Sequence, residues 1–133
     1  MRSVVTSSQT AASASVVAEW RDLLERHART TCALEHALKA HELGVSEYEV
    51  LDRLATGKQK EQRRMQTLGE AVHLSQSALS RVVGRLEADG LVLRGMCAED
   101  RRGIFVCITD EGRARLKEAR PAYRAALTDA LGG

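Results

Sequence analysis

A chain of 133 residues is long enough for one hydrophobic core and too short for two. Twenty basic against 18 acidic residues leave a net charge of +2, so a nucleic-acid footprint has to come from local clustering of charge, not from bulk basicity. Three cysteines, with no apolar run of signal-peptide or membrane-span length, argue against a disulfide framework and a bilayer span, and the chain reads as soluble and cytoplasmic with free thiols.

Residues 1–12 are small and polar without a period and read as a flexible arm. From Val16 the apolar positions Val17, Trp20, Leu23, Leu24, Leu34 and Leu38 recur at helical steps, with charged residues between them. This predicts a long amphipathic helix over 13–43, ended by Gly44. Ser46 and Glu49 stand in capping-box spacing and open a second helix that Gly57 stops, followed by a basic loop "KQKEQRR". Thr67 and Glu70 repeat the capping-box pattern. Within a few residues Ser75 can cap "QSALSRVVGRLEADG", with Gly90 past its end. Two short helices then abut through a turn at His73 and Leu74, which is a helix-turn-helix arrangement.

"LVLRG" and "GIFVCIT" are short and rich in branched residues, and they flank a charged loop, so they read as an antiparallel hairpin. Thr109 can cap a last helix over 110–131, in which Pro121 predicts a kink or break. The fold class is mainly α with a small β-hairpin wing: a winged helix-turn-helix module over 46–109 with flanking helices.

That module presents one helix to the DNA major groove and a loop to the backbone or minor groove. On the second helix of the pair, Ser75, Gln76, Ser77, Ser80 and Arg81 lie in the first turns and Arg85 one turn on, while Leu79, Val82, Val83 and Leu86 can face inward. Short polar side chains admit close approach, and Gln and Arg can make bidentate base contacts. An ordinary solvated helix face has a similar pattern. In "EDRRG" Asp100 can orient the guanidinium of Arg102 towards a narrow, electronegative minor groove, and Arg101 suits a phosphate. A surface ion pair in a turn would look the same.

"LSQSALSRVVGRLEADGLV", then "EDRR" and "ITDEGR", resemble the MarR family of transcriptional regulators, and the likeness extends over about three quarters of the chain. The resemblance implies a homodimer that binds double-stranded DNA at a pseudo-palindromic operator. It also implies repression of a nearby promoter, with release by a small, often phenolic, effector. It assigns Gln76 to Arg81 to base contact, Asp100 and Arg102 to the wing, and the first and last helices to the dimer interface. Twelve residues follow Pro121, fewer than the family's usual final helix, and a smaller interface is expected.

Trp20, His36, Tyr48 and Met65 are candidates for an effector crevice where the first two helices meet the DNA module and the helix after the wing, with core or interface the plainer reading of each. Cys32 and His36 stand four apart on one helical face, where an imidazole can lower a thiol pKa; packing against a neighbour is the plainer reading. Cys97, near Arg94 and Arg101, has an electropositive setting, so a thiol-based redox-sensing regulator using Cys97 or Cys32 is the alternative function. Neither thiol has a base-orienting acid, a phosphate-cradling loop or a zinc-type CxxC beside it. No enzyme, cofactor, metal or membrane role is therefore expected.

Overall fold

The computed structural model describes the backbone of residues 7–56, 62–97 and 100–132, with side chains over 13–56, 64–95 and 103–132. Helix α1 (Ser7–Leu38) leads through a 3-10 turn (Lys39–His41) into α2 (Val45–Thr56). Strand β1 (Gln62–Arg64), helix α3 (Met65–Val72) and helix α4 (Gln76–Ala88) follow, then β2 (Val92–Cys97), β3 (Asp100–Ile108) and α5 (Asp110–Leu131). This is the winged helix-turn-helix expected, with a long helix at each end.

The core is apolar throughout. Leu51, Leu54, Leu68, Leu79, Val83, Leu86, Leu91, Val92, Val106 and Leu116 are almost wholly buried, and no polar or charged side chain among the described residues is buried with them. Leu79, Val82, Val83 and Leu86 form the inward side of α4, as their spacing predicts. Among its described side chains α1 joins the core only through its last turns, at Leu34 and Leu38, and it packs chiefly on α5. Residues 13–29 of α1 are exposed along their whole length.

Several boundaries differ from the sequence expectation. Of the arm expected over 1–12, residues 7–12 already belong to α1, because "SSQTAA" carries no helix breaker and continues into a strong helical segment; residues 1–6 lie outside the described residues. α1 does not run on to Gly44: the chain turns at Glu42, which adopts a left-handed conformation (φ 56°) and donates its N–H to the Lys39 carbonyl. Gly44 instead precedes α2, and its N–H donates to Glu47 Oε1 at 2.8 Å. The capping contact therefore sits two residues before the Ser46/Glu49 pair, at Gly44 and Glu47. Gly57 lies outside the described residues, but α2 does end at Thr56.

Thr67 is likewise inside α3 and does not cap it, since the helix starts directly after Arg64. The loop "KQKEQRR" closes with a strand, because Gln62, Arg63 and Arg64 pair antiparallel with Cys107, Val106 and Phe105. The sheet thus has three strands in the order β1-β3-β2. α5 runs unbroken through Pro121: proline forfeits one backbone bond, and burial of Ala119 and Tyr123 on either side holds the helix together.

The expected caps at Ser75, Gly90 and Thr109 are found. Ser75 accepts from the Ala78 N–H at 3.2 Å, and Gly90 (φ 77°) provides the left-handed turn after α4. Thr109 accepts from the Gly112 N–H at 3.0 Å, donates its hydroxyl to the Gly90 carbonyl at 2.7 Å and its N–H to the Leu91 carbonyl at 3.0 Å. At Gly112 the start of α5 lies so close to β2 that a Cβ would stand 2.2 Å from the Leu91 carbonyl oxygen, whereas at Gly84, on α4, it would meet nothing within 4 Å. Gly112→Ala is expected to destabilise the protein by about 3 kcal/mol in urea unfolding, at the upper end of overpacking costs. Gly84→Ala, relieving a helix interior of glycine, should stabilise it by about 0.5–1 kcal/mol.

Candidate nucleic-acid interface

The turn between α3 and α4 sets the presentation of α4. His73 takes the left-handed conformation (φ 59°), and the Leu74 N–H donates to the Gly69 carbonyl at 3.0 Å. The two helices approach so closely that a Cβ on Gly69 would lie 2.5 Å from Gln76 Nε2 and 3.2 Å from the Leu74 carbonyl oxygen. A larger residue there would displace the Gln76 amide and press on the Leu74 carbonyl, so glycine favours this close approach through its size, not its backbone angles. Gln76 in turn donates from Nε2 to the Met65 carbonyl at 3.3 Å, tying the first turn of α4 to the start of α3.

With its apolar side consumed by the core, α4 displays Ser75, Gln76, Ser77, Ser80 and Arg81 to solvent, and all five are exposed. This is the row expected from the sequence. Small hydroxyls flank one amide and one guanidinium, so a groove wall can approach closely while two side chains reach further. Arg85 is also exposed but is engaged, its Nε donating to Glu47 Oε2 at 2.9 Å. At the C-terminal end of α4 Glu87 accepts from Arg94 of β2 at 3.2 Å, which links the helix to the wing.

The wing strands pair Val92, Leu93, Arg94, Gly95 and Met96 with Ile108, Cys107, Val106, Phe105 and Ile104, with an irregularity before Cys97 faces Asp100. Asp100, Arg101 and Arg102 therefore start the returning strand, at the tip of the wing. Their side chains, and with them the expected Asp100–Arg102 contact, lie outside the described residues, as does the side chain of Cys97. Cys107 is a half-buried free thiol opposite Leu93.

Sequence reasoning missed Arg64. Its guanidinium stands 5.5 Å from the centre of the Phe105 ring, and it borders, with Met65, Gln66, Gln76, Gly103 and Ile104, a cavity of about 210 Å³ beside the first turn of α4. "QRR" is too short and too polar to show a strand period, and only the pairing with β3, over forty residues on, makes it one. Glu47 was also missed; its neighbours Ser46 and Glu49 drew the capping argument instead.

The four expected effector residues fall into separate settings. Trp20 is 57% exposed on α1 and His36 is exposed nearer its end. Tyr48 is buried and stacked on Tyr123 of α5, ring centres 3.8 Å apart, and Met65 borders the cavity beside α4. Cys32 is an exposed free thiol on α1. Among the described residues no group of histidines, cysteines and acids is arranged to hold a metal ion, and no helix is long and apolar enough to cross a membrane.

A capped recognition helix followed by a paired wing defines the class of winged helix-turn-helix DNA-binding regulators. The family model described as "MarR family" matches residues 41–103. Sco3205, a MarR family transcriptional regulator from Streptomyces coelicolor solved in complex with DNA, is 30% identical with a TM-score of 0.80, over 89% of this chain and 74% of that one. CouR from Rhodococcus jostii RHA1, solved bound to p-coumaroyl-CoA, is 28% identical with a TM-score of 0.73, over 84% of this chain and 77% of that one. YkoM, an HTH-type transcriptional regulator of Bacillus subtilis, is 28% identical over 103 residues, which are 74% of this chain and 64% of that protein. The chain belongs to the MarR family.

The Tyr48–Tyr123 stack joins the DNA module to α5. Tyr123 donates its hydroxyl to Glu49 Oε2 at 2.8 Å. Burial, reinforced by this acceptor and by nearby carboxylates, pushes the Tyr123 hydroxyl well above the usual tyrosine range, and burial pushes Tyr48 up as well. A raised folded pKa on a group that ionises to an anion favours the protonated folded state, so its stabilisation is complete below the unfolded pKa and is lost as pH rises beyond it. Stability should therefore decline as pH climbs above about 10. Tyr123→Phe, measured by urea unfolding at pH 8 and at higher pH, should be less stable at pH 8 and should show a shallower decline.

Proposed function

We propose that the protein is a sequence-specific, double-stranded-DNA-binding transcriptional repressor of the cytoplasm. In this reading it acts as a homodimer on a pseudo-palindromic operator and releases it when a small effector binds. The observation that carries the reading is the row Gln76, Ser77, Ser80 and Arg81, exposed on a capped helix whose opposite face is core. The DNA complex of Sco3205 supports the choice of partner.

Support for the homodimer comes from α1. Val16, Val17, Trp20, Leu23 and Leu24 are 43 to 61% exposed on one helix, and Leu131 near the end of α5 is 47% exposed. An apolar stripe of this length marks an interface. Two copies joined through it would set two recognition helices about 34 Å apart, one turn of duplex. Support for an effector comes from CouR and its p-coumaroyl-CoA, an aromatic acyl ligand. Such a ligand would act by favouring an arrangement of the two DNA modules that does not fit successive grooves.

Three arginines test the division of labour. Arg81→Ala should lower affinity by about 1–3 kcal/mol for the preferred duplex only, flattening the discrimination among sequences. Arg101→Ala, at a phosphate, should weaken all duplexes alike and reduce the salt slope by about 0.9. Arg102→Ala should weaken the preferred duplex markedly with the far-UV circular dichroism unchanged. Retained affinity at matched salt would count against the wing's role.

A further inference from the structure

The apolar side of α4 anchors the recognition helix, but apolar burial is non-directional and does not alone fix the rotation of a helix about its axis. Directional contacts do. Glu87 is held by Arg94 of the wing at 3.2 Å, and Arg85 donates to Glu47 of α2 at 2.9 Å.

The Glu47 contact stands apart in what it joins. Glu47 Oε2 takes the Arg85 guanidinium while Oε1 takes the Gly44 backbone N–H at 2.8 Å. The Glu47 side chain is 13% exposed and that of Arg85 65%, so the carboxylate is the enclosed partner and both its oxygens are used. Gly44 ends the connector between α1 and α2. The same connector is also held by Arg115 of α5, whose guanidinium donates to the His41 carbonyl at 3.2 Å. One carboxylate thus joins a segment anchored on α1 and α5 to the DNA-reading helix.

We infer that Glu47 is a positioning residue for DNA reading: it transmits the position of the connector to α4, and Arg85 is the other half of that link instead of a base-contacting side chain. A movement of α1 and α5 then reaches the recognition helix through a charged link as well as through packing. The inference rests on the DNA-reading function proposed above.

The test begins with wild-type protein, which selects a duplex from a random-sequence pool. That duplex and an unrelated one of equal length are titrated across salt with Glu47→Ala, Arg85→Ala, the double variant and Glu47→Gln. Each single alanine variant is expected to lower affinity for the selected duplex roughly tenfold, leaving the unrelated duplex and the salt slope unchanged. The double variant should lose no more than either single one, because both remove the same link. Glu47→Gln, which keeps one acceptor oxygen, should recover part of the loss. A second readout needs no DNA: Arg85→Ala should speed hydrogen exchange at the Gly44 amide, across the carboxylate from the altered residue. Additive losses, or a salt slope reduced by about 0.9 in Arg85→Ala, would make Arg85 a phosphate contact and overturn the inference. Unchanged Gly44 exchange would overturn it too. If wild-type protein selects no duplex at all, the DNA-reading function falls first, and the inference with it.

Discussion

The junction at Thr109 holds the working parts together. Gly90 and Leu91 leave the recognition helix and enter the wing, while Thr109 and Gly112 leave the wing and enter α5, and the two stretches are locked by two hydrogen bonds of Thr109, to the Gly90 and Leu91 carbonyls, and by a backbone approach at Gly112 that admits only glycine. Because α4, the sheet and α5 all begin or end there, their mutual orientation is decided over a few residues. A loop of ordinary flexibility at that point would leave the wing and the helix to address DNA independently.

Given that frame, the electrostatics follow from placement. A net charge of +2 gives no general attraction for a polyanion. On the first turns of α4 the exposed amide of Gln76 and guanidinium of Arg81 stand together with Arg64 beside them, and Arg101 and Arg102 belong to the wing strand. Such a distribution favours selectivity over bulk affinity, since the phosphate contribution is limited and the base-edge contribution decides among sequences. Arg85 and Arg94, which a count of charges would add to the interface, are engaged with Glu47 and Glu87.

Most of this was legible in the residues because the signals are local. Ser75, Gly90 and Thr109 cap by rules that need only the neighbouring few positions, and the inward face of α4 follows from helical spacing. What the sequence hid depends on partners distant along the chain. β1 exists because β3 offers it an edge at Val106 and its neighbours, and the cap of α2 at Gly44 uses Glu47, a side chain shared with distant Arg85. Pro121 misled in the same way, its local cost being outweighed by the burial of Ala119 and Tyr123 around it. The effector residues were the least legible, since crevices form between elements; for Tyr48 the core reading, offered beside the lining one, is the one the structure shows.

The central claim is that α4 and the wing read a base sequence in duplex DNA. It is tested most directly by titrating purified protein, across a salt series, with the intergenic DNA upstream of its own reading frame and with an unrelated duplex of equal length. The expected result is a preference for its own upstream DNA that persists at moderate salt, accompanied by two protected patches about one helical turn apart in a footprint. Equal affinity for both duplexes at every salt concentration, with no discrete protection, would contradict it.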